Sequence, residues 1–191
     1  MARTPSRMLD IGTQAPDFEL PDPVSGRSVA LNDLADKPLL VVFSCNHCPY
    51  VIHILESFSA YANSAQHQGL SVVMINANDV DNYPDDSPEK MIELSAQYGF
   101  EFPYLYDESQ SIARAYQAAC TPDFYLFNQQ HKLVYRGQYD ASRPGNNEAV
   151  SGIDLKVACA EMLAGNPLMT SQLPSVGCNI KWRAGNEPDY S

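Results

Sequence analysis

The sequence predicts an α/β fold, with a central mixed sheet and helices on both faces. Three observations carry this. Leu39-Leu40-Val41-Val42-Phe43-Ser44 is a continuous, β-branched run, as a strand buried on both faces requires. Val51, Leu55, Phe58 and Ala62 follow it at helical spacing. A second apolar run spans 70–76, and strand, helix, strand in that order implies a parallel βαβ unit with a right-handed crossover. The 191 residues suffice for one domain with a full hydrophobic core.

The remaining elements follow in order. Asp17-Phe18-Glu19-Leu20, a Pro-Asp-Pro-Val-Ser-Gly turn and Arg27-Ser28-Val29-Ala30 predict a hairpin over 17–30. Asn32-Asp33-Leu34 reads as a single helical turn. The helix after the first core strand runs over 48–68, with Gly69 as its stop. A polar loop over 77–86 leads to Ser87-Pro88, an N-cap and first helical residue, and to a helix ending at Tyr98. A short strand over 103–106 and a helix over 110–117 come next. Phe124-Tyr125-Leu126-Phe127 and Leu133-Val134-Tyr135-Arg136 flank a turn and predict an antiparallel pair. The last helix spans 151–163, with Ile153, Val157, Ala160 and Leu163 at helical spacing. Beyond Gly165 the chain is rich in Pro, Gly and Ser, yet it holds Pro174, Val176, Ile180 and the sole tryptophan, Trp182. That is not the composition of a disordered tail. The expected organisation is a domain over 1–165 with the tail, 166–191, packed on it.

Charge narrows the partners. Lys and Arg total 12 against 23 Asp and Glu, a formal net charge of -11. So acidic a surface repels phosphate backbones and anionic lipid, so neither nucleic acid nor membrane is an expected partner. No apolar run approaches the roughly 18 residues that span a bilayer. Met1-Ala2-Arg3-Thr4-Pro5-Ser6-Arg7 has no apolar segment behind it, which argues against a secretory signal. Five cysteines, only two of them close in sequence, do not make a disulfide-stapled scaffold. A reducing, cytoplasmic location is expected.

Cys45-Asn46-His47-Cys48-Pro49 carries the chemistry. A C-x-x-C pair where a strand enters a helix reads as a redox dithiol. Cysteine reacts as the thiolate, and a helix N-terminus offers unpaired N–H groups and partial positive charge. Cys45 is expected to be the more acidic and more exposed thiol, with Cys48 resolving a mixed disulfide formed on it. His47 beside the thiolate stabilises the reduced form, making the pair more oxidising; Asn46 shares this tuning position. A zinc site commonly draws four ligands from two pairs; no second pair exists, so no metal is assigned.

The order strand, C-x-x-C, helix, strand, helix, then Cys120-Thr121-Pro122 ahead of a hairpin resembles the thioredoxin fold. The resemblance implies a cis Thr121–Pro122 bond in a loop facing the redox pair, with the Thr121 backbone presented to substrate. More narrowly, the chain looks like the alkyl hydroperoxide reductase/thiol-specific antioxidant branch of that superfamily. The matching runs include Gly12-Thr13-Gln14-Ala15-Pro16-Asp17-Phe18, Phe43-Ser44-Cys45-Asn46-His47-Cys48-Pro49, Thr121-Pro122-Asp123-Phe124, Ser142-Arg143-Pro144-Gly145-Asn146 and Ser175-Val176-Gly177-Cys178-Asn179-Ile180-Lys181-Trp182. Typical peroxiredoxins carry Pro-x-x-x-Thr/Ser-x-x-Cys. Here Pro38 stands at the right distance from Cys45, but Val42 occupies the hydroxyl position. This departure favours dithiol–disulfide exchange over peroxide reduction.

Other residues are weighed against plainer roles. Cys120 and Cys178 are candidate resolving thiols or small buried thiols; Cys159 reads as core. Asp79-Val80-Asp81-Asn82-Tyr83-Pro84-Asp85-Asp86 spaces its carboxylates like a calcium loop, but Pro84 and Lys90 stand at the glycine and glutamate positions, so a solvated acidic loop near the Cys45 end of the sheet is expected. Arg136 and Arg143 either face the site or bind surface and tail. The expected function is a thiol–disulfide oxidoreductase acting on a protein or small-molecule disulfide or thiol. It needs no bound cofactor and is recycled by a separate reductant or oxidant. A thiol peroxidase and a metal-binding or redox-inert module are the alternatives.

Overall fold

The structure, a computed structural model, describes residues 3–168 and 171–190. The N-terminal stretch and the tail are therefore described without Met1, Ala2, Met169, Thr170 and Ser191. The strands are β1 (Arg3–Pro5), β2 (Glu19–Asp22), β3 (Arg27–Ala30), β4 (Leu39–Ser44), β5 (Ser71–Asn76), β6 (Tyr104–Tyr106), β7 (Cys120–Thr121), β8 (Asp123–Phe127), β9 (Leu133–Gly137) and β10 (Val176–Asn179). The helices are α1 (Pro49–His67), α2 (Pro88–Tyr98), α3 (Ser111–Ala115) and α4 (Ile153–Leu163).

Five strands form the central sheet in the order β6-β5-β4-β8-β9. β4 runs parallel to β5, and β5 to β6; β8 and β9 run antiparallel. This is the mixed sheet the sequence predicts. All six residues of β4 are buried because the sheet is covered on both faces. Leu40 and Val42 point into a core with Val51, Leu55 and Phe58 of α1, Met91 of α2 and Leu155 of α4. Leu39, Val41 and Phe43 point the other way, onto Ala113 of α3, Tyr116 and the hairpin residue Leu20. The alternation is the period-two signature of a strand.

The helix boundaries follow local chemistry. Cys48 is the N-cap of α1 and Pro49 its first residue, where a missing N–H costs nothing. Gly69, at φ +94°, follows the end of α1. Ser87 caps α2, its hydroxyl accepting from the Lys90 amide at 3.4 Å.

Two expectations need correction. In α4 the predicted stripe is not the buried one: Leu155, Ala158 and Cys159 are buried, whereas Ile153, Val157 and Leu163 are 55%, 42% and 40% exposed. Both sets fit helical spacing, and packing against the sheet selects the first. α3 is also shorter than the predicted 110–117. Gln110 adopts a left-handed conformation and its side-chain amide donates to the Ala77 and Lys181 carbonyls, so the helix begins one residue later.

A second, three-stranded sheet was not legible beforehand. The tail strand β10 pairs antiparallel with both β1 and β7. Trp182 packs half-buried against the α3-side core. Gly177 makes the β10–β7 contact feasible: a Cβ there would lie 1.9 Å from the Thr121 carbonyl oxygen, backbone that cannot swing aside. Gly177→Ala should therefore destabilise the protein by more than the about 1–3 kcal/mol typical of overpacking, read as a lowered urea midpoint. An unchanged midpoint would show that β10 is not held there.

Candidate active site

The register places the site. Phe43 of β4 faces Asp123 of β8, so Cys45, just beyond β4, lies beside the Thr121–Pro122 bend that enters β8. That peptide bond is cis. Cys45 Sγ is 3.3 Å from Thr121 Oγ1. Cys48 Sγ donates to the Thr121 carbonyl oxygen at 3.3 Å. None of the five cysteines is in a disulfide, and all are buried.

Asp86 organises the loop between the two cysteines. Its Oδ1 accepts from the Asn46 amide at 2.8 Å and the His47 amide at 3.3 Å. Its Oδ2 accepts from Asn78 Nδ2 at 2.7 Å and lies 2.7 Å from His47 Nδ1, an ion-pair contact off the line of a good hydrogen bond. The Asn46 side chain donates to the Asp85 carbonyl and accepts from the Tyr104 hydroxyl. Tyr83 stacks on His47, the rings 5.7 Å apart and 5° from parallel. Lys181 Nζ sits 5.7 Å from the centre of the Tyr83 ring and donates to the carbonyl and side-chain oxygens of Asn179.

The electrostatics divide the two thiols. Burial raises Cys45 well above the usual thiol range, and the Cys48 and Asp86 side chains add to this. Cys48 moves the opposite way, to about 5: the Cys45 side chain lowers it most, burial opposes, and the Cys178 side chain and the Val51 amide lower it further. Neighbouring thiols and the α1 N-terminus thus favour charge on Cys48. His47 is raised by the Asp86 carboxylate, against the opposing effect of burial. For Asp86, burial pushes upward, but His47, Asn78 and the Asn46 amide together bring its carboxyl below the ordinary range.

The expected exposure of Cys45 is corrected, because both thiols are closed off from solvent, and the expected acidity is reversed in direction, since the neighbouring groups favour charge on Cys48 rather than on Cys45. Cys45 is 1% exposed and Cys48 fully buried. Cys45 sits in a closed site facing Asp86, whereas Cys48 caps a helix. The acidic loop is corrected too. Asp81 and Asp85 are exposed, but Asp79 and Asp86 are buried and engaged. A third correction concerns Thr121. Its carbonyl accepts from Cys48, and β7 pairs with the chain's own β10, so this backbone is not free for a substrate.

Cys120 donates at 3.7 Å to the Pro122 carbonyl and is raised well above the usual range by burial and Asp123. Cys178, in register with Thr121, is in side-chain contact with Cys48 and is pushed up to about 12, chiefly by burial. Cys159 is buried under α4. Arg136 donates to the Leu9 carbonyl and Gln172, and Arg143 to Gln138 and two carbonyls of its own turn, so both brace loops and tail. Ligand atoms of Cys45, His47 and Asp86 lie within 4.8 Å of one another, but both Asp86 oxygens are already engaged within the protein. Sequence reasoning missed Asp86 and Tyr83. The available signal was Asn76-x-Asn78 at the end of a buried strand, since two buried amides there need partners, and both find Asp86.

The His47–Asp86 pair gives a pH-dependent prediction. His47 lies above its ordinary 6.5, so its contribution is complete below about 6.5 and is lost as pH rises through the raised value. Asp86 lies below 3.8, so its contribution holds above that and fades as pH falls through the lowered value. Asp86→Asn should cost about 3 kcal/mol, with the gap to wild type widest between about pH 4 and 6.5. Denaturation across pH and a His47 NMR titration check this. A gap that widens above pH 7 would contradict the ion pair.

A profile of the AhpC/TSA family matches residues 11–136. Among solved structures, an uncharacterized conserved protein from Geobacillus kaustophilus is 46% identical, with a TM-score of 0.93, covering 96% of this chain and 97% of its own. A hypothetical protein from Sinorhizobium meliloti 1021 is also 46% identical at TM-score 0.93, over 95% of this chain and 100% of its own. A putative thiol:disulfide interchange protein DsbE from Chlorobium tepidum is 24% identical at TM-score 0.61, over 81% and 99% respectively, and shares the fold. A search of curated proteins finds no match. Among the described residues no helix is long and apolar enough to cross a membrane. With its mixed sheet, its C-x-x-C loop against a cis proline and a family match over most of its length, the chain belongs to the thioredoxin-like AhpC/TSA family.

Proposed function

We propose that the protein is a thiol–disulfide oxidoreductase whose redox pair is Cys45 and Cys48. The observation that carries this reading is the placement of both C-x-x-C sulfurs against Thr121 beside the cis Thr121–Pro122 bond, with Cys48 at the N-cap of α1. The Cys48 thiolate takes the Cys45 proton, and the Cys45 thiolate attacks one sulfur of the substrate disulfide. A mixed disulfide forms on Cys45, and the other substrate sulfur leaves with the electron pair. It takes the proton from Cys48. The Cys48 thiolate then attacks Cys45 Sγ, forming the Cys45–Cys48 bond and expelling the second substrate thiolate. The Thr121 hydroxyl lies 3.3 Å from Cys45 Sγ, and the Thr121 carbonyl accepts from Cys48 when that sulfur carries the proton. Asn46 and His47 are fixed by Asp86, and Pro122 shapes the bend. A separate reductant or oxidant resets the pair, and the chemistry calls for no cofactor. The reading is compatible with a reducing, cytoplasmic setting.

Stabilising a thiolate stabilises the dithiol form, so the midpoint potential should lie above the about -270 mV of thioredoxin. A redox titration with thiol trapping checks this; a value at or below that end would overturn it. Reduction of a model disulfide should fall at least about 100-fold in Cys45→Ser and in Cys48→Ser, a size expected when a nucleophile is lost. With substrate, Cys48→Ser should accumulate a mixed disulfide on Cys45. Accumulation on Cys48 in Cys45→Ser would reverse the order of attack.

One observation favours a thiol peroxidase as the second reading. The hydroxyl missing at Val42 is supplied from elsewhere: Thr121 Oγ1 lies 3.3 Å from Cys45 Sγ. Cys45 would then become a sulfenic acid, resolved by a neighbouring thiol. Peroxide consumption no faster than that of free cysteine removes this reading.

A further inference from the structure

We infer that β10 is docked as an internal substrate strand, and that its thiol, Cys178, exchanges with Cys48 to give a Cys48–Cys178 disulfide. The inference rests on the Cys45–Cys48 redox reading and adds a third working sulfur to it. A strand edge binds an extended peptide by main-chain pairing, with side chains specifying the register. Here the chain fills that edge itself. β10 lies antiparallel to β7 and sets Cys178 directly opposite Thr121, the residue whose carbonyl and hydroxyl hold the two site sulfurs. Gly177 is the residue that permits the approach.

Cys48 is the hub of the cluster. Its side chain interacts with those of both Cys45 and Cys178, and its thiolate is stabilised by both. Cys178 is 3% exposed, so its partner must come from within the protein. Cys120 is a poorer candidate, because its thiol points to the Pro122 carbonyl. Burial and Cys48 push the Cys178 thiol up, and Lys181, three residues beyond, offsets this only in part.

The exchange balances without an outside reagent. Beginning from the Cys45–Cys48 disulfide, the Cys178 thiol gives up its proton and attacks Cys48 Sγ. The Cys48–Cys178 bond forms as the Cys45–Cys48 bond breaks. Cys45 leaves with the electron pair and takes up the proton, which its closed surroundings favour. The protein stays oxidised by two electrons, but Cys45 is again a free thiol and can engage another substrate sulfur.

The test oxidises the full-length protein with one equivalent of diamide, quenches in acid with N-ethylmaleimide and maps the linked peptides. Wild type should yield both Cys45–Cys48 and Cys48–Cys178 linkages, with part of the oxidised protein labelled at Cys45. Cys178→Ala should lose the second linkage and the Cys45 labelling while keeping the first; Cys178→Ser repeats the test with a residue of similar size. Wild type yielding Cys45–Cys48 alone, or Cys48 linked to Cys120, overturns the inference and leaves the redox pair standing. Oxidised protein with no intramolecular disulfide overturns both.

Discussion

The Asp86 carboxylate is the constraint on which the site depends. A buried carboxylate is expensive unless every lone pair is used. Asp86 is fully buried, and its partners come from two stretches of the chain: the Asn46 and His47 amides from the β4–α1 loop, and Asn78 from beyond β5. Its carbonyl also accepts from Asn76. The loop between Cys45 and Cys48 is thereby tied to the end of β5 at two consecutive amides. With that loop tied down, Cys48 can occupy the N-cap of α1 while Cys45 stays at the end of β4. The carboxylate acts on the two partners in opposite senses: it favours charge on His47 and disfavours charge on Cys45.

The tail strand supplies the other half of the site. β10 closes the edge of β7, and residues just beyond it reach the acidic loop. The Lys181 amide donates to Asn78, the Asp79 amide donates to the Lys181 carbonyl, and the Lys181 ammonium lies over Tyr83. Tyr83 in turn covers His47. One short segment therefore contacts the cis-proline bend through Gly177, the Cys48 sulfur through Cys178 and the loop over His47 through Lys181. Loss of β10 docking would disturb thiol chemistry and loop order together.

Much of this was legible in the sequence, and what was not has physical reasons. β4 reads directly because burial on both faces demands an unbroken apolar run, and the C-x-x-C loop reads because strand and helix periodicities change on either side of it. Ser87-Pro88 reads because capping is local chemistry. β7 and β10 do not read: they have two and four residues, and their pairing is non-local. α4 misleads because two helical stripes compete and only the sheet decides between them. Asp86 hides because an acidic loop looks solvated until its fold sets one carboxylate against buried amides. The relative acidity of Cys45 and Cys48 rests on burial and on the two sulfurs acting on each other, with Cys178 of β10 a further contribution, and neither burial nor β10 is encoded in the local motif.

The closed site implies a division of labour among the sulfurs. Exchange within the cluster needs no outside partner, since β10 sets Cys178 opposite Thr121, whose carbonyl Cys48 contacts. Entry of an outside disulfide does need an opening, because Cys45 is 1% exposed. Beside the site, Tyr83 is 38% exposed and stacks on His47, with its amide tied to the Asp79 carbonyl, its carbonyl to the Asp86 amide and the Lys181 ammonium over its ring. Asp86 favours charge on His47 and also accepts from the Asn46 and His47 amides, so one carboxylate sets both the His47 environment and the geometry of the C-x-x-C loop.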